Sequence, residues 1–369
     1  MRAARAEVDL GAVAHNVSVL AELARPAVLC AVVKADGYGH GAIAVSETVL
    51  TAGAAWLGVA LVEEGAVLRK AGIEAPILLL SQPREDDLAA AVRYGLRVSV
   101  YTVAGVEVLA AVAAKAGTVA NVHLKIDTGM NRVGARPDDA VALATAIAAR
   151  PSLHLEAVWT HCAVADEPGH DFTDLQLDRF EAVLADLDRV GLKPPMRHAA
   201  NSAAAIDHPR ARYDLVRAGI AIYGIAPSPA LADRVDLHPA LSLRAEVSMV
   251  KRVGAGESVS YGLRHRFERG TTVATVPIGY ADGVPRRLSL TGGEVLIGGR
   301  RRRLVGVVTM DQLMVDCGDD EVAVGDEVVL IGEQGEQRVT ADEWAERLDT
   351  IAYEIVCGIG PRVPRHYHH

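Results

Sequence analysis

The sequence between residues 31 and 41, AVVKADGYGHG, ends an apolar run in a lysine and follows it with three alternating glycines. The run at residues 28–33 predicts a buried strand, the glycines predict a turn, and residues 42–50 have the apolar spacing of a helix. We therefore expect Lys34 at the C-terminal end of a strand, where parallel α/β proteins carry their chemistry. A lysine in that position can form a Schiff base with a carbonyl compound. The stretch alone leaves open that Lys34 simply reaches solvent.

Strand-like runs and alanine-rich helical patterns alternate through roughly the first 230 residues. Helical patterns cover, among others, residues 102–116, 137–149 and 171–190. Eight strands with intervening helices predict a (β/α)8 barrel of the TIM type, with a doubly wound sheet as the alternative. The strand candidates are residues 28–33, 56–60, 77–80, 98–101, 122–126, 153–159, 196–199 and 216–223.

The pattern changes after about residue 237, where short β-rich runs are separated by glycine turns. This change predicts a C-terminal all-β domain. Prolines between residues 227 and 239 suggest the linker, so we expect a barrel at residues 1–236 and a β domain at residues 237–369. The strand candidates of the second domain are residues 247–253, 272–277, 294–297, 303–308, 313–315 and 327–331.

Composition narrows the functional classes. Of the 369 residues, 50% are hydrophobic and 23% charged, as in ordinary globular proteins, and the net charge of -9 argues against nucleic acid as the main partner. The four cysteines lack the spacing of a metal site, and no apolar stretch approaches the ~20 residues of a membrane span. Glu7 and Asp9 lie where a signal peptide would be apolar, so we expect a cytoplasmic protein without a membrane partner. We interpret RRRR (300–303) as an exposed hairpin arm and the terminal HYHH (366–369) as a frayed tail rather than a metal site.

Eight motifs, in order along the chain, resemble those of the alanine racemase family. The resemblance extends to Arg365 and implies a barrel that carries pyridoxal 5'-phosphate (PLP), a β domain, and interconversion of L- and D-alanine for cell-wall peptidoglycan. The motifs are AVVKADGYGHG (31–41), KIDTGMNR (125–132), HAANS (198–202), VRAGI (216–220), SYG (260–262), GYADG (279–283), MDQ (310–312) and the tail from YE (353–354) to RVPR (362–365).

The resemblance implies two catalytic bases on opposite faces of the substrate. Lys34 would hold PLP and act as one base, and Tyr261 from the partner chain of a homodimer would be the other. His161 would support Tyr261 and contact Arg217. Arg217 would face the pyridine nitrogen of PLP, and because a guanidinium cannot accept a proton, that nitrogen would stay unprotonated and side reactions such as transamination would be restrained.

The remaining implied site residues contact the cofactor, the substrate or the entrance. Lys125 is expected to be carbamylated and to orient Arg132, although a plain Lys125 in a surface ion pair stays open. Cofactor contacts are implied for Tyr38, Asn201, Ser202, Gly219, Ile220 and Tyr353. Substrate contacts are implied for Arg132 and Met310, and supporting or entrance positions for Tyr280, Arg286 and Asp311.

One departure from the family's pattern bears on specificity. Val307 and Thr309 stand where many relatives have Arg and Cys, so one entrance charge is missing and substrate breadth stays open. A broader racemase acting on serine or other small amino acids is one alternative. A fold-related PLP decarboxylase, expected to carry an acid at the position of Arg217, is another. A non-catalytic PLP-binding protein is the third, and the presence of Tyr261 disfavours it.

Overall fold

The computed structural model describes residues 4–369 of the chain, and these residues form two compact units. The barrel unit contains residues 11–37 and 42–239, and the β unit contains residues 4–10, 38–41 and 240–369. The segment 38–41 therefore belongs to the β unit although its neighbours in sequence belong to the barrel unit. The first strand, β1 (Arg5–Asp9), also lies in the β unit.

Eight parallel strands form one sheet in the barrel unit, in the order β8-β7-β6-β5-β4-β3-β2-β9. Two backbone hydrogen bonds of 3.0 Å span the two ends of this order, from Asp214 N to Arg197 O and from Arg217 N to Ala200 O, so the barrel is nearly closed. The predicted barrel is confirmed, and the doubly wound alternative is wrong. The strands are β2 (Val28–Val32), β3 (Trp56–Val59), β4 (Ile77–Leu79), β5 (Arg97–Val100), β6 (Ala120–Lys125), β7 (Leu153–Trp159), β8 (Met196–His198) and β9 (Leu215–Ala218).

Helices alternate with the barrel strands, and the longer ones bury one face each. In the longest, Leu177, Phe180, Val183 and Leu187 recur at helical spacing and are buried, each stabilising the fold by about 1.5–3 kcal/mol relative to exposure. The helices are α1 (Leu10–Ala24), α2 (Ala42–Thr51), α3 (Val62–Lys70), α4 (Glu85–Arg93), α5 (Val103–Lys115), α6 (Ala140–Ala148), α7 (Phe172–Arg189) and α8 (Ser202–Asp207).

The predicted strand at residues 216–223 is too long. Strand β9 ends at Ala218, and the backbone turns at Gly219, where φ is −106° and ψ is −101°. The apolar residues beyond it form a 3-10 turn, Ile220–Tyr223, which is buried on all sides. An apolar run alone does not distinguish these two conformations, because both are buried.

The β unit is built on strands with two short helices. In β10 and β17 buried residues alternate with partly exposed ones, as expected for sheets packed on one face. The predicted β domain is confirmed. Its strands are β10 (Leu241–Glu246), β11 (Met249–Val253), β12 (Ser258–Val259), β13 (His265–Arg266), β14 (Thr271–Val276), β15 (Glu294–Ile297), β16 (Arg300–Val305), β17 (Leu313–Gly318), β18 (Glu327–Gln334), β19 (Gln337–Val339) and β20 (Arg365–His368), and its helices are α9 (Ala341–Leu348) and α10 (Ala352–Cys357).

Two interpretations of the β unit need correction. The terminal HYHH is not frayed: it lies mostly in β20, which pairs in parallel with β1, so that Glu7 lies opposite His366. The basic cluster does form a hairpin, in which β15 and β16 pair across two glycines. Its Arg302, however, is buried and donates hydrogen bonds to Asp320 Oδ2 and Cys317 O.

Every helix within residues 4–369 is too short or too polar to cross a lipid bilayer.

Candidate active site

Lys34 follows strand β2 after one intervening residue, Val33, and the backbone beyond it is unusual. After it the chain forms one left-handed turn, with φ between 52° and 62° from residue 35 to residue 38. This conformation costs an L-residue ~1–2 kcal/mol, so it persists only where contacts impose it. Glu64 accepts a hydrogen bond from Ala35 N at 2.7 Å, and Asp36 accepts one from Ala42 N at 2.8 Å. The lysine is therefore held at the strand end by a fixed turn rather than a mobile loop.

Arg217 lies on β9 with only 3% of its surface exposed. It donates hydrogen bonds to Thr160 O at 2.9 Å, to Ala199 O at 2.8 Å and to His198 Nδ1 at 2.7 Å. The expected contact with His161 is present, at 3.2 Å from Nη2 to Nδ1. Among these direct partners within residues 4–369 none is a carboxylate, and burial lowers the pKa of Arg217 to about 10. A buried cation without an anion in contact favours an anionic or electron-rich ligand.

Trp159 lies beneath two cations of the barrel unit. Its ring centroid is 4.1 Å from Lys125 Nζ and 4.5 Å from Arg217 Cζ. Such cation–π contacts stabilise a cation by about 0.5–2 kcal/mol, most where water is excluded. They compensate part of the cost of burying two positive side chains close together.

Positive charge converges on His161. Burial lowers its pKa most, and Arg217, Lys125, Arg132 and Lys34 lower it further, well below the ordinary value. Although part of the His161 ring reaches solvent, burial of the rest, together with these basic side chains, keeps the imidazole neutral near pH 7. A neutral His161 can accept a hydrogen bond from Arg217 through Nδ1 and donate one through Nε2.

Lys125, on β6, is buried with 3% of its surface exposed. Burial, followed by Arg217 and Arg132, lowers its pKa to about 7. Its Nζ donates a hydrogen bond to Leu80 O at 3.3 Å. The alternative of a surface ion pair is therefore wrong.

The segment after β8 and the turn after β9 form a small polar cradle. Asn201 caps the N-terminus of α8 by accepting a hydrogen bond from Ala204 N at 2.9 Å. The Ser202 hydroxyl, almost fully buried, accepts one from Gly219 N at 2.8 Å. Two short helical N-termini thus meet at one hydroxyl, and backbone N–H groups in such a place suit a phosphate.

In the β unit Tyr38 packs beside Tyr353, with ring centroids 6.2 Å apart. Burial, followed by the neighbouring Tyr353, raises the pKa of Tyr38, so its phenol stays protonated. The adjacent Gly39 has a φ of 80°, and a Cβ there would lie 2.4 Å from Val356 O. Arg365 Nε donates a hydrogen bond to Gly39 O at 2.9 Å. The position of Tyr38 therefore depends on both a glycine and the C-terminal arginine.

A cavity of about 690 Å³ in the β unit collects most of the predicted entrance and substrate residues. Tyr261 is 75% exposed, the highest value among the exposed large hydrophobic side chains of residues 4–369, and Met310 is 53% exposed. The cavity is lined by Tyr261, Tyr280, Arg286, Val307, Val308, Thr309, Met310, Asp311 and Gln312.

Arg362 supports this cavity, a role that the sequence analysis missed. It donates a hydrogen bond to Asp311 Oδ1 at 2.6 Å, and its Nε lies 3.3 Å from Oδ1 of the fully buried Asp282. It therefore fixes the loop that carries Met310. The RVPR motif indicated the position but not this partner.

His123 and Glu156, which lie behind Arg217 in the barrel, were also missed. His123 Nδ1 is 3.0 Å from His198 Nε2, and His123 Nε2 is 3.0 Å from Glu156 Oε2. The available signal was an acidic residue within an otherwise largely apolar strand at residues 153–159.

The predicted site residues thus fall into two groups. The barrel unit contains Lys34, Lys125, Arg132, His161, Asn201, Ser202, Arg217, Gly219 and Ile220. The β unit contains Tyr38, Tyr261, Tyr280, Arg286, Met310, Asp311 and Tyr353.

Comparison with known proteins agrees with both units. The family profile "Alanine racemase, N-terminal domain" matches residues 8–227, and "Alanine racemase, C-terminal domain" matches residues 240–367. The alanine racemase of Symbiobacterium thermophilum is 50% identical over 368 residues, covering 100% of this chain and 97% of that protein.

Solved structures extend the likeness to the fold. The crystal structure of alanine racemase from D-cycloserine-producing Streptomyces lavendulae has a TM-score of 0.95 and 43% identity, with 100% of this chain and 98% of that chain covered. The histidine racemase of Leuconostoc mesenteroides has a TM-score of 0.91 and 31% identity, covering 100% and 98%. With both domain profiles matched and a full-length relative at 50% identity, the chain belongs to the alanine racemase family.

Proposed function

We propose that this chain is a PLP-dependent racemase that interconverts L- and D-alanine by a two-base mechanism. The observation that carries the proposal is the pair of buried basic side chains, Lys125 and Arg217, that share the Trp159 ring beside His161, with Lys34 and Arg132 adding positive charge there. Cations so close together favour anionic ligands, and both the phosphate of PLP and the carboxylate of an amino acid meet that requirement.

The residues present fit PLP in charge and hydrogen-bonding capacity. Lys34 supplies an amine for the cofactor's aldehyde. The cradle of Ser202, Gly219 and Ile220, with Asn201 beside it, supplies a hydroxyl and backbone N–H groups for the phosphate. When bound, PLP provides the electron sink that stabilises the charge left after a proton leaves Cα.

Two bases then account for inversion at Cα. The Lys34 amine removes or returns a proton on one face, and the Tyr261 hydroxyl does so on the other. Since one base removes a proton from one face of Cα and the other delivers a proton to the opposite face, the configuration inverts. His161 keeps a neutral ring near pH 7, so it can donate to the Tyr261 oxygen and stabilise it when it is deprotonated.

Arg217 restricts the reaction to proton transfer. A carboxylate facing the pyridine nitrogen of PLP would keep that nitrogen protonated by accepting its N–H. The Arg217 guanidinium has only N–H donors, so it would leave the nitrogen unprotonated. This arrangement also disfavours a fold-related decarboxylase, for which we expect an acid at position 217.

In this proposal Arg132 pairs with the substrate carboxylate, and Lys125 orients Arg132. A carbamate on Lys125 would replace one of the converging positive charges with a negative one. The lowered pKa of Lys125, about 7, supports this modification because only the neutral amine reacts with CO₂.

Each active site is proposed to combine two chains of a homodimer. Lys34 and Arg217 lie in the barrel unit, whereas Tyr261 and Met310 lie in the β unit. Tyr261 and Leu263 are 75% and 67% exposed, and exposed apolar groups of this size often mark an interface. A twofold dimer would make two equivalent sites. We further infer, from the family resemblance, a cytoplasmic role in supplying D-alanine for peptidoglycan.

A broader racemase is the second candidate. Val307 is buried and brings no charge to the entrance cavity, and a solved relative of the same fold is a histidine racemase. The remaining cation of that cavity is Arg286. The range of amino acids accepted as substrates would then be set by the loop 307–312 rather than by the catalytic residues.

The test is to purify the protein with PLP, incubate it separately with L-alanine, L-serine and L-histidine, and quantify both enantiomers by chiral chromatography. We expect D-alanine to form with the highest kcat/KM. A higher kcat/KM for serine or histidine would favour the second candidate. Bound cofactor without any D-amino acid would contradict both.

A further inference from the structure

The hydrogen bonds of Arg217 continue away from the site into the barrel interior. From Arg217 Nη1 the chain passes to His198 Nδ1 at 2.7 Å, and His198 Nε2 is 3.0 Å from His123 Nδ1. His123 Nε2 is 3.0 Å from Glu156 Oε2. Both imidazoles are completely buried. The four residues lie on β9, β8, β6 and β7 and link Arg217 to one carboxylate through two histidines.

The two ends of this hydrogen-bond chain, Arg217 and Glu156, decide which atom donates and which accepts at each step. A guanidinium has no acceptor, so His198 Nδ1 must be the acceptor and the ring proton of His198 lies on Nε2. His198 therefore donates to His123 Nδ1, and the proton of His123 lies on Nε2, where the Glu156 carboxylate accepts it. Both rings must be neutral, because a second proton on either Nδ1 would face an N–H. Burial lowers the pKa of both histidines, in agreement with this assignment.

A β-bulge between β6 and β7 brings Glu156 into this hydrogen-bond chain. Strands β6 and β7 pair in register up to Val122 opposite Leu155, but His123 then lies opposite Ala157. Glu156 is the extra residue of this bulge, and bulges commonly re-aim one side chain. Beyond it the pairing continues one residue displaced, with Leu124 opposite Val158 and Lys125 opposite Trp159, so Glu156 is the residue left without a partner on β6.

The charges around this end hold Glu156 as an anion. Burial alone would raise its pKa, but the hydrogen bond from His123 and the nearby Arg97 outweigh that and lower it. Arg97 Nε lies 3.5 Å from Glu156 Oε2, and Arg97 stacks on the Trp56 ring at 5.5 Å. The charged groups around the histidines are thus Arg217 and Lys125 on the side of His198, and Glu156 with Arg97 on the side of His123.

We propose that Glu156 is a positioning residue for racemisation: by accepting from His123, it fixes the tautomers of both histidines and so the direction in which Arg217 presents its remaining N–H groups. This inference rests on the proposed function, because Arg217 acts on the reacting molecule only there. Without an acceptor at position 156, no hydrogen bond favours the His123 tautomer that carries the proton on Nε2. A proton on His123 Nδ1 would face the N–H of His198 and favour the other tautomer of His198, which removes one of the hydrogen bonds that orient Arg217, the one from Nη1.

The first test needs no turnover. The tautomers of His123 and His198 are measured by long-range ¹⁵N–¹H correlation spectra of ¹⁵N-histidine-labelled protein, assigned with single histidine variants. We expect both rings neutral and protonated on Nε2 between about pH 6 and pH 9. Either ring charged, or protonated on Nδ1, at pH 7 would overturn the proposal.

The second test compares Glu156→Gln with Glu156→Leu. Glutamine keeps an acceptor oxygen for His123 and Arg97, so we expect wild-type tautomers and a kcat within about threefold. Leucine removes the acceptor, so we expect mixed tautomers at His123 and a fall in kcat of about tenfold with little change in KM, the size usual for residues that orient a functional group. Glu107→Gln, in a surface ion pair with Arg150, is the matched control and should change nothing.

Wild-type tautomers and kcat in Glu156→Leu would overturn the proposal, as would an equal loss in Glu156→Gln and Glu156→Leu with the tautomers unchanged. If Glu156→Leu does not fold, the tautomers of His123 and His198 in the wild-type protein still support or overturn the proposal. A wild-type protein that forms no D-amino acid would instead contradict the proposed function, and the tautomer measurement would judge the hydrogen-bond chain separately.

Discussion

The carbamate on Lys125 can be tested through its pH dependence. At pH 8 a pKa of about 7 leaves about nine-tenths of the amine neutral, whereas a lysine with the ordinary value of 10.5 would be neutral in only about 0.3% of molecules. Burial and neighbouring cations therefore raise the reactive fraction roughly 300-fold. The neutral amine attacks CO₂, an N–C bond forms, a C=O electron pair moves to oxygen, and one proton leaves the nitrogen. The product is an anion among cations.

The direction of the pH effect follows from linkage. With a bare amine, the unfolded chain binds more protons at this group than the folded chain between about pH 7 and pH 10.5. Its contribution to the free energy of unfolding therefore falls as the pH decreases through that range. Below pH 7 the folded amine is itself protonated and cannot add CO₂. We expect carbamylation at pH 8 and its loss at pH 6.

The assay is ¹³C NMR of protein equilibrated with ¹³C-bicarbonate. The wild type should give one protein-bound carbamate signal at pH 8 that disappears at pH 6 and in Lys125→Ala. Lys115→Ala, at an exposed position in α5, should keep the signal. A spectrum without a bound signal at pH 8, or high-resolution density for a bare ammonium at Lys125, would refute the reasoning.

Three substitutions test other parts of the site. Lys34→Ala should abolish both the visible absorption of bound PLP and racemisation, since the anchor and one base are lost together; normal turnover without added amine would contradict this. Arg217→Glu should raise the ratio of transamination to racemisation, measured by pyruvate formation, and an unchanged ratio with PLP still bound would count against the role of Arg217. Val307→Arg should change KM more than kcat, because Val307 lines the cavity that we propose as the entrance; equal losses in kcat and kcat/KM would indicate a transition-state role.

The sequence predicted the position of Lys34 because a buried parallel strand is a nearly continuous apolar run. Lys34 is the first charged residue after such a run, so it marks the end of the strand. It did not predict the left-handed turn that follows. Ala35 and Asp36 both prefer right-handed conformations, and the contacts with Glu64 and Ala42 that impose the turn involve residues 6 to 29 positions away.

The elements that were missed are those held by distant partners. Strand β1 reads RAEVD, which is too polar to be recognised alone, yet it pairs with β10 and β20 from the other end of the chain. The terminal histidines were misread for the same reason. For Glu156 the sequence shows an acidic residue in a largely apolar strand, but its proposed role depends on a one-residue shift in strand pairing, which the sequence does not reveal.

The division of the site residues between two units makes the shared active site the central claim. Lys34→Ala and Tyr261→Ala subunits, each first shown to be inactive, are mixed in equal amounts and allowed to exchange, with exchange verified by native mass spectrometry. In a mixed dimer one site carries both defects and the other carries neither. With random re-association we predict activity from roughly a quarter of all sites, because half of the dimers have one intact site of two. Demonstrated exchange without any return of activity would contradict the account, since Tyr261 would then act within its own chain.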